Sequence, residues 1–183
     1  MKRLGLLCVG TLMLGGCAAG GGPVEPVGSA SSTPSGPVVS GLGSYSYDVA
    51  GASGVVTLPG TSDPAVAGAV ALTKLPKPVY VTVAVDNRNG QADQVPSAVT
   101  VYTVAGTKVI YESAAKYLNA IDTSKMSIED GNKVIAAYNK INDPVTIGES
   151  RTVTMVGTEP LPGDIVRVTV ADAYGDETEA AKK

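Results

Sequence analysis

Histidine, tryptophan and phenylalanine are absent from this chain. Without an imidazole, histidine acid–base catalysis, Ser-His-Asp and Cys-His nucleophilic systems and histidine metal sites are all excluded. The missing Trp removes the broad platform that carbohydrate-binding sandwiches usually offer. Eight tyrosines are the only aromatic rings. Charge of one sign is also scarce. Lys and Arg total 14 against 17 Asp and Glu, and beyond the adjacent pairs Lys2-Arg3 and Lys182-Lys183 the cations are scattered. Nucleic-acid binding needs a concentrated positive footprint, so no nucleic-acid partner is expected. The longest apolar run, residues 4–14, falls short of the about 20 residues a membrane-spanning helix requires. Cysteine occurs only as Cys8 and Cys17.

That short apolar run is itself informative. Lys2-Arg3 ahead of it, and Gly15-Gly16 behind it, give the three parts of an export signal. The sequence Leu14-Gly15-Gly16-Cys17 resembles the lipobox of bacterial lipoproteins. The resemblance implies that residues 1–16 are removed and that the Cys17 sulfur carries a diacylglycerol. Two or more acyl chains hold firmly, because each buried methylene contributes about 0.8 kcal/mol. Cys8 follows the bulky pair Leu6-Leu7, which does not suit the cleavage position. The competing reading is an ordinary secretory signal cut near Ala18-Ala19. With Cys8 removed and Cys17 lipidated, no thiol remains, so the domain must be held by its core rather than by disulfides.

Residues 17–44 comprise the lipidated cysteine and a Gly/Pro/Ser-rich tether, exemplified by Ser31-Ser32-Thr33-Pro34-Ser35-Gly36-Pro37. Such a stretch buries too little apolar surface to offset its ordering entropy. As a flexible coil it would reach roughly 30 Å. The folded part is expected over residues 45–173, with a charged, frayed tail at 174–183.

Valine and alanine dominate an apolar content of 44%, and β-branched residues favour strands. Period-two alternation marks Val79-Tyr80-Val81-Thr82-Val83-Ala84-Val85, which puts four valines on one face. Residues 99–104 and 107–111 alternate likewise about a turn at Ala105-Gly106, predicting a hairpin. Residues 152–156 connect through Leu161-Pro162-Gly163 to 166–170. Weaker strand signals lie at 45–47, 54–58 and 66–72. The total, about seven or eight short strands, predicts an antiparallel sandwich. Residues 114–141 break the alternation. Ser127-Ile128-Glu129-Asp130 is a helix-start signature, and Val134, Ile135, Tyr138 and Ile141 recur at helical spacing. A helix is predicted over 128–141 and a shorter one over 113–119, together forming a helical insert.

Few residues are placed for chemistry. The acids lie mostly at turns and strand ends, where Asp is locally favoured, and no pair stands out as a glycosidase couple. Ser113-Ala114-Ala115-Lys116 matches a Ser-x-x-Lys string but has none of the companion motifs. Asp86-Asn87-Arg88-Asn89-Gly90 is similar to a calcium loop, yet Arg88 stands at a ligand position and Ser97 where the closing Glu belongs. Tyr45 and Tyr47 fall on one side of their strand; Tyr80 and Tyr102 read as core or cross-strand partners. No catalytic residue, cofactor or metal is expected.

The run Val83-Ala84-Val85-Asp86-Asn87, the hairpin from Ala105-Gly106 to Tyr111, the helical insert and the two late strands together resemble the immunoglobulin-like (telokin-like) domains of Gram-positive secreted lipoproteins. The resemblance covers residues 76–171. It departs at Asn142-Asp143-Pro144, where such domains often carry Asn-Pro-Gly, and at Met155, where they often carry Phe. It implies a mainly β, immunoglobulin-like antiparallel sandwich of about seven strands and no catalytic residues. The expected protein is therefore extracytoplasmic and held to the cell membrane by the Cys17 lipid. It presents a non-catalytic sandwich to an envelope or surface protein, with the insert as the distinguishing surface. The alternative is a phage- or prophage-encoded superinfection-exclusion lipoprotein that blocks a receptor or a DNA-injection channel.

Overall fold

The computed structural model describes residues 38–73 and 76–183. The expected leader, Cys17 and residues 18–37 of the expected tether lie outside the described residues. The elements in chain order are β1 (Gly43–Val49), β2 (Ala52–Leu58), α1 (Pro64–Ala71), β3 (Val79–Asp86), β4 (Ala98–Thr103), β5 (Lys108–Ser113), α2 (Ala114–Asn119), a 3-10 turn (Thr123–Lys125), α3 (Ile128–Ile141), β6 (Ser150–Gly157), β7 (Ile165–Ala171) and β8 (Glu177–Lys182).

The strands close into one antiparallel barrel in the order β1-β2-β3-β6-β5-β4-β7-β8, and β8 returns to pair with β1. This overturns the expected immunoglobulin-like sandwich, although the mainly β expectation holds. The residues read as a charged tail make the difference. Glu177 to Ala180 pair with β7, while Ala181 and Lys182 pair with Ser46 and Tyr45. On the far side, β5 joins β6 through Glu112↔Val156 and Ser113↔Met155. Closure removes the unpaired strand edges that a sandwich would leave. Strands β3 to β6 form a Greek key, since β4, β5 and β6 are successive neighbours and β3 lies beside β6.

Local chemistry explains the turns. Ala50 and Gly51 both take positive φ, 47° and 80°, which fits the tight connection between β1 and β2. The predicted hairpin turns at Gly106, with φ 79°, and its strands β4 and β5 pair in register. The late strands are consecutive but are not partners. β6 lies between β3 and β5, and β7 between β4 and β8.

Alternation decides which side chains enter the barrel. Val81, Val83 and Val85 are buried inside it with Val56, Leu58, Val99, Val101, Met155, Ile165 and Val168. Without Phe or Trp, the widest parts are filled by tyrosine laid against glycine. Tyr47 stands directly opposite Gly54 in the β1–β2 register. A methyl group on Gly54 would lie 2.3 Å from the Tyr47 ring, and one on Gly157 would lie 2.6 Å from the Tyr111 ring. This large-beside-small pairing packs the interior of a small barrel. The apolar faces point inward, and the outward positions carry Asp48, Lys108, Arg167, Glu177, Glu179 and Lys182. A lipid-spanning barrel has the reverse sense. Among the described residues, no helix is long and apolar enough to cross a membrane.

A second apolar cluster sits outside the barrel. Val66, Ala69 and Val70 of α1, Ala114 and Leu118 of α2, and Val134 and Ala137 of α3 pack with Val156 of β6, and Tyr80 of β3 packs against them. The α1 segment corrects the weak strand signal at 66–72. Asp63 caps it by accepting from the Ala65 and Val66 amides at 2.7 and 3.4 Å, Pro64 opens the first turn, and its buried residues sit at helical spacing. Both predicted insert helices form. Ser113 caps α2, accepting from the Lys116 amide, and Ser127 caps α3, accepting from the Asp130 amide. Within α3, Val134 is buried in the helical cluster, but Ile135, expected on the same face, remains 49% exposed, and Ala137 takes the buried position instead.

Candidate functional site

The two ends of the barrel differ. The chain enters β1 at one end, where Ser40 donates to the Ile165 carbonyl and the Lys182 ammonium donates to the Gly41 carbonyl at 3.2 Å. The other end carries the β1–β2 turn, the long 87–97 connection, the insert and the β7–β8 turn.

Asn87 organises that second end. It is fully buried, and its side-chain amide donates to the carbonyls of Ala92 at 3.0 Å and Val145 at 2.8 Å. Its backbone amide donates to Glu149, and its carbonyl accepts from Gly148 and Gly90. Gln94 and Val145 exchange two backbone bonds of 2.9 Å. These bonds stitch the 87–97 connection to the segment following α3. A methyl group on Gly90 would fall 1.7 Å from the Asn87 side-chain oxygen, so glycine is required there. The segment that resembled a calcium loop is therefore a structural corner. Asp86 pairs with the Arg88 guanidinium, whose Nε lies 2.9 Å from Oδ1, and this bond holds the Asp86 carboxyl down at about 2. Among the described residues, no group of three or more His, Cys, Asp or Glu is placed to hold a metal ion.

Two cavities flank this corner. One of about 200 Å³ lies between the insert and the barrel wall. It is lined by Asp63, Ser113, Lys140, Asp143, Arg151 and Thr154 among others. Its charges are mixed, and Arg151 is committed to the Asp143 carbonyl. Ser113 is occupied as the α2 cap, and the Lys116 ammonium pairs with Glu112, so the Ser-x-x-Lys string forms no nucleophile–base couple.

The second cavity, of about 470 Å³, is the mouth of the barrel itself. Its floor is apolar: Tyr47, Val49, Pro96, Pro144 and Val170. Asp93, Asp172 and Asp176 stand around it, and its lining includes neither Lys nor Arg. Two of these carboxylates are fixed through one oxygen each. Asp93 Oδ1 accepts from the Ile147 amide at 3.2 Å. Asp172 Oδ1 accepts from the Tyr174 and Asp176 amides at 2.8 and 3.0 Å. The β7–β8 turn thus holds its own acids in place. Tyr47 is only 6% exposed, and burial pushes its hydroxyl up to about 12. That hydroxyl makes no hydrogen bond among the described residues, whereas the Tyr45 hydroxyl donates to Gly41 and that of Tyr111 to Glu159.

The tyrosines weighed from sequence thus fall in different places. Tyr45 and Tyr47 do share a face, and it is the barrel interior. Tyr80 packs under the helical layer. Tyr102 lies outside, with the Arg167 guanidinium 3.8 Å from its ring centre and its hydroxyl donating to Glu177. Cys17 lies outside the described residues. The acids of the mouth went unnoticed in sequence because about 80 residues separate Asp93 from the Asp172–Asp176 turn, and no local periodicity joins them. No protein-family model, no curated protein and no solved structure matches this chain.

Proposed function

We propose that this chain is a lipid-anchored cell-envelope protein that presents a non-catalytic β-barrel as a binding module to an envelope or surface partner. The leader ending in Leu14-Gly15-Gly16-Cys17 carries the reading of location. The polarity of the barrel supports the reading of role. The N-terminal side, where an anchor would pull, enters at Ser40–Gly43, and the open mouth lies at the opposite end. An anchored barrel would therefore be free to turn its mouth away from the bilayer. The wetted outer surface supports a domain held above the membrane rather than within it.

Metabolic labelling with a fatty-acid probe tests the anchor. Label is expected on the wild-type protein and not on Cys17→Ser, and the variant is expected to leave the membrane fraction. An unlabelled wild-type protein, or a variant that stays equally membrane-bound, removes the assignment. Crosslinking the anchored protein in cells then identifies the partner.

A further inference from the structure

We propose that the barrel mouth is a binding site for an organic cation, an ammonium group carried on a short aliphatic body. This deepens the binding-module reading and rests on it for its biological setting. Its physical argument uses the cavity alone.

Two independent observations point to the same ligand. First, Asp93, Asp172 and Asp176 surround one concavity whose lining offers no cation of its own. Asp93 and Asp176 are exposed and Asp172 is half-buried, and like charges about one concavity reinforce one another's field, so the mouth attracts cations and repels anions. Second, Tyr47 lines the same cavity with only 6% of the residue exposed, and its hydroxyl has no hydrogen-bond partner among the described residues. A ligand atom that bonds this hydroxyl takes the place of water there, so the bond adds modestly to affinity. An ammonium supplies three donors and no acceptor. The lining answers with acceptors: the tyrosine oxygen, and the carboxylate oxygens that the backbone amides of Ile147, Tyr174 and Asp176 leave free. Val49, Pro96, Pro144 and Val170 would take the attached methylenes. A carboxylate or phosphate would meet three like charges without compensation. A neutral alcohol would fill the floor and leave the acids unpaired.

The amine could be a free metabolite or the side chain of a lysine on a partner protein. The chemistry at the mouth is the same, and the test separates the two. The full-length protein in non-ionic detergent is titrated with n-pentylammonium, n-pentanol and pentanoate while its amide resonances are followed. Pentylammonium is expected to produce saturable shifts at Ala50, Val170, Ala171 and Thr178, with pentanol and pentanoate producing none at equal concentration. Asp93→Asn combined with Asp176→Asn is expected to weaken binding about tenfold by removing two of the three charges. Tyr47→Phe, which keeps the ring over Gly54, is expected to weaken it about threefold or more. Nα-acetyl-lysine N-methylamide binding at least as tightly as pentylammonium assigns a lysine side chain. Pentylammonium binding alone assigns a free amine. Equal binding of pentanol, shifts that lie elsewhere, or unchanged affinity in the double variant overturns the proposal. A protein that takes fatty-acid label but ignores pentylammonium ends this inference and leaves the anchor standing, and the converse result does the opposite.

Discussion

Tyrosine and glycine divide the barrel interior between them. Gly54 faces Tyr47 and Gly157 faces Tyr111, and in each pair a single added methyl would lie within 3 Å of a ring. Gly54→Ala is therefore expected to cost about 1–3 kcal/mol through overpacking. Gly68 is the counterpart. It lies within α1 with open space where its methyl would go, so Gly68→Ala is expected to stabilise by about 0.5–1 kcal/mol through helix propensity. Urea denaturation of both variants checks the pair, and equal signs would refute the packing account. The same tyrosines set the alkaline limit. Burial pushes both Tyr47 and Tyr111 up to about 12, whereas an unfolded tyrosine ionises near 10. Above pH 10 the unfolded chain loses these protons first, so stability is complete below about 10 and falls as pH rises towards 12. By pH 11 each tyrosine contributes on the order of 1 kcal/mol to that loss. Tyr111→Phe is expected to flatten the decline, measured by denaturation at pH 9 and 11.

At the scale of the element, β8 is the instructive case. Its sequence, Glu-Thr-Glu-Ala-Ala-Lys, carries charges outward and buries only Ala180. Strand propensity is low there, so its strand is imposed by the two free edges it bridges. Removing residues 177–183 is expected to expose the edges of β7 and β1 and to drive association. Size-exclusion chromatography should show dimers or larger species, and a truncated chain that remains monomeric and equally stable would contradict the closing role. The α3 helix is the opposite case. Its Ser127 cap, acidic first turn and Lys140 near the end all lie within the segment itself, which is why its bounds were legible. The α1 segment shows the limit of periodicity, since Val-Ala-rich sequence suits either state and only the Asp63-Pro64 start marks it locally as a helix.

For the whole molecule, barrel and helical layer share residues. Val156 and Tyr80 belong to strands of the barrel and to the outer cluster at once, and Asn87 ties the connection after β3 to the segment that follows α3. The insert should therefore not melt on its own. Far-ultraviolet dichroism and tyrosine fluorescence are expected to trace one coincident urea transition, and separated midpoints would show the layer to be independent. This coupling also gives the mouth its shape, since its rim draws on the β1–β2 turn, residues 92–96, Pro144 and the β7–β8 turn together.

Local patterns in the chain determined the strand-rich class, the hairpin at Gly106 and the helices α2 and α3 with their serine caps, and they carry the proposal of an export leader ending at Cys17. Each depends on residues within a few positions of one another. Closure into a barrel, the pairing of β3 with β6, the recruitment of the charged C-terminal segment and the convergence of Tyr47 with Asp93, Asp172 and Asp176 were decided only by the tertiary structure. Alternation says which side chains point inward, and it reads the same in a sandwich and in a barrel. Which strands meet depends on satisfying every free edge at once, and that condition belongs to the folded chain as a whole.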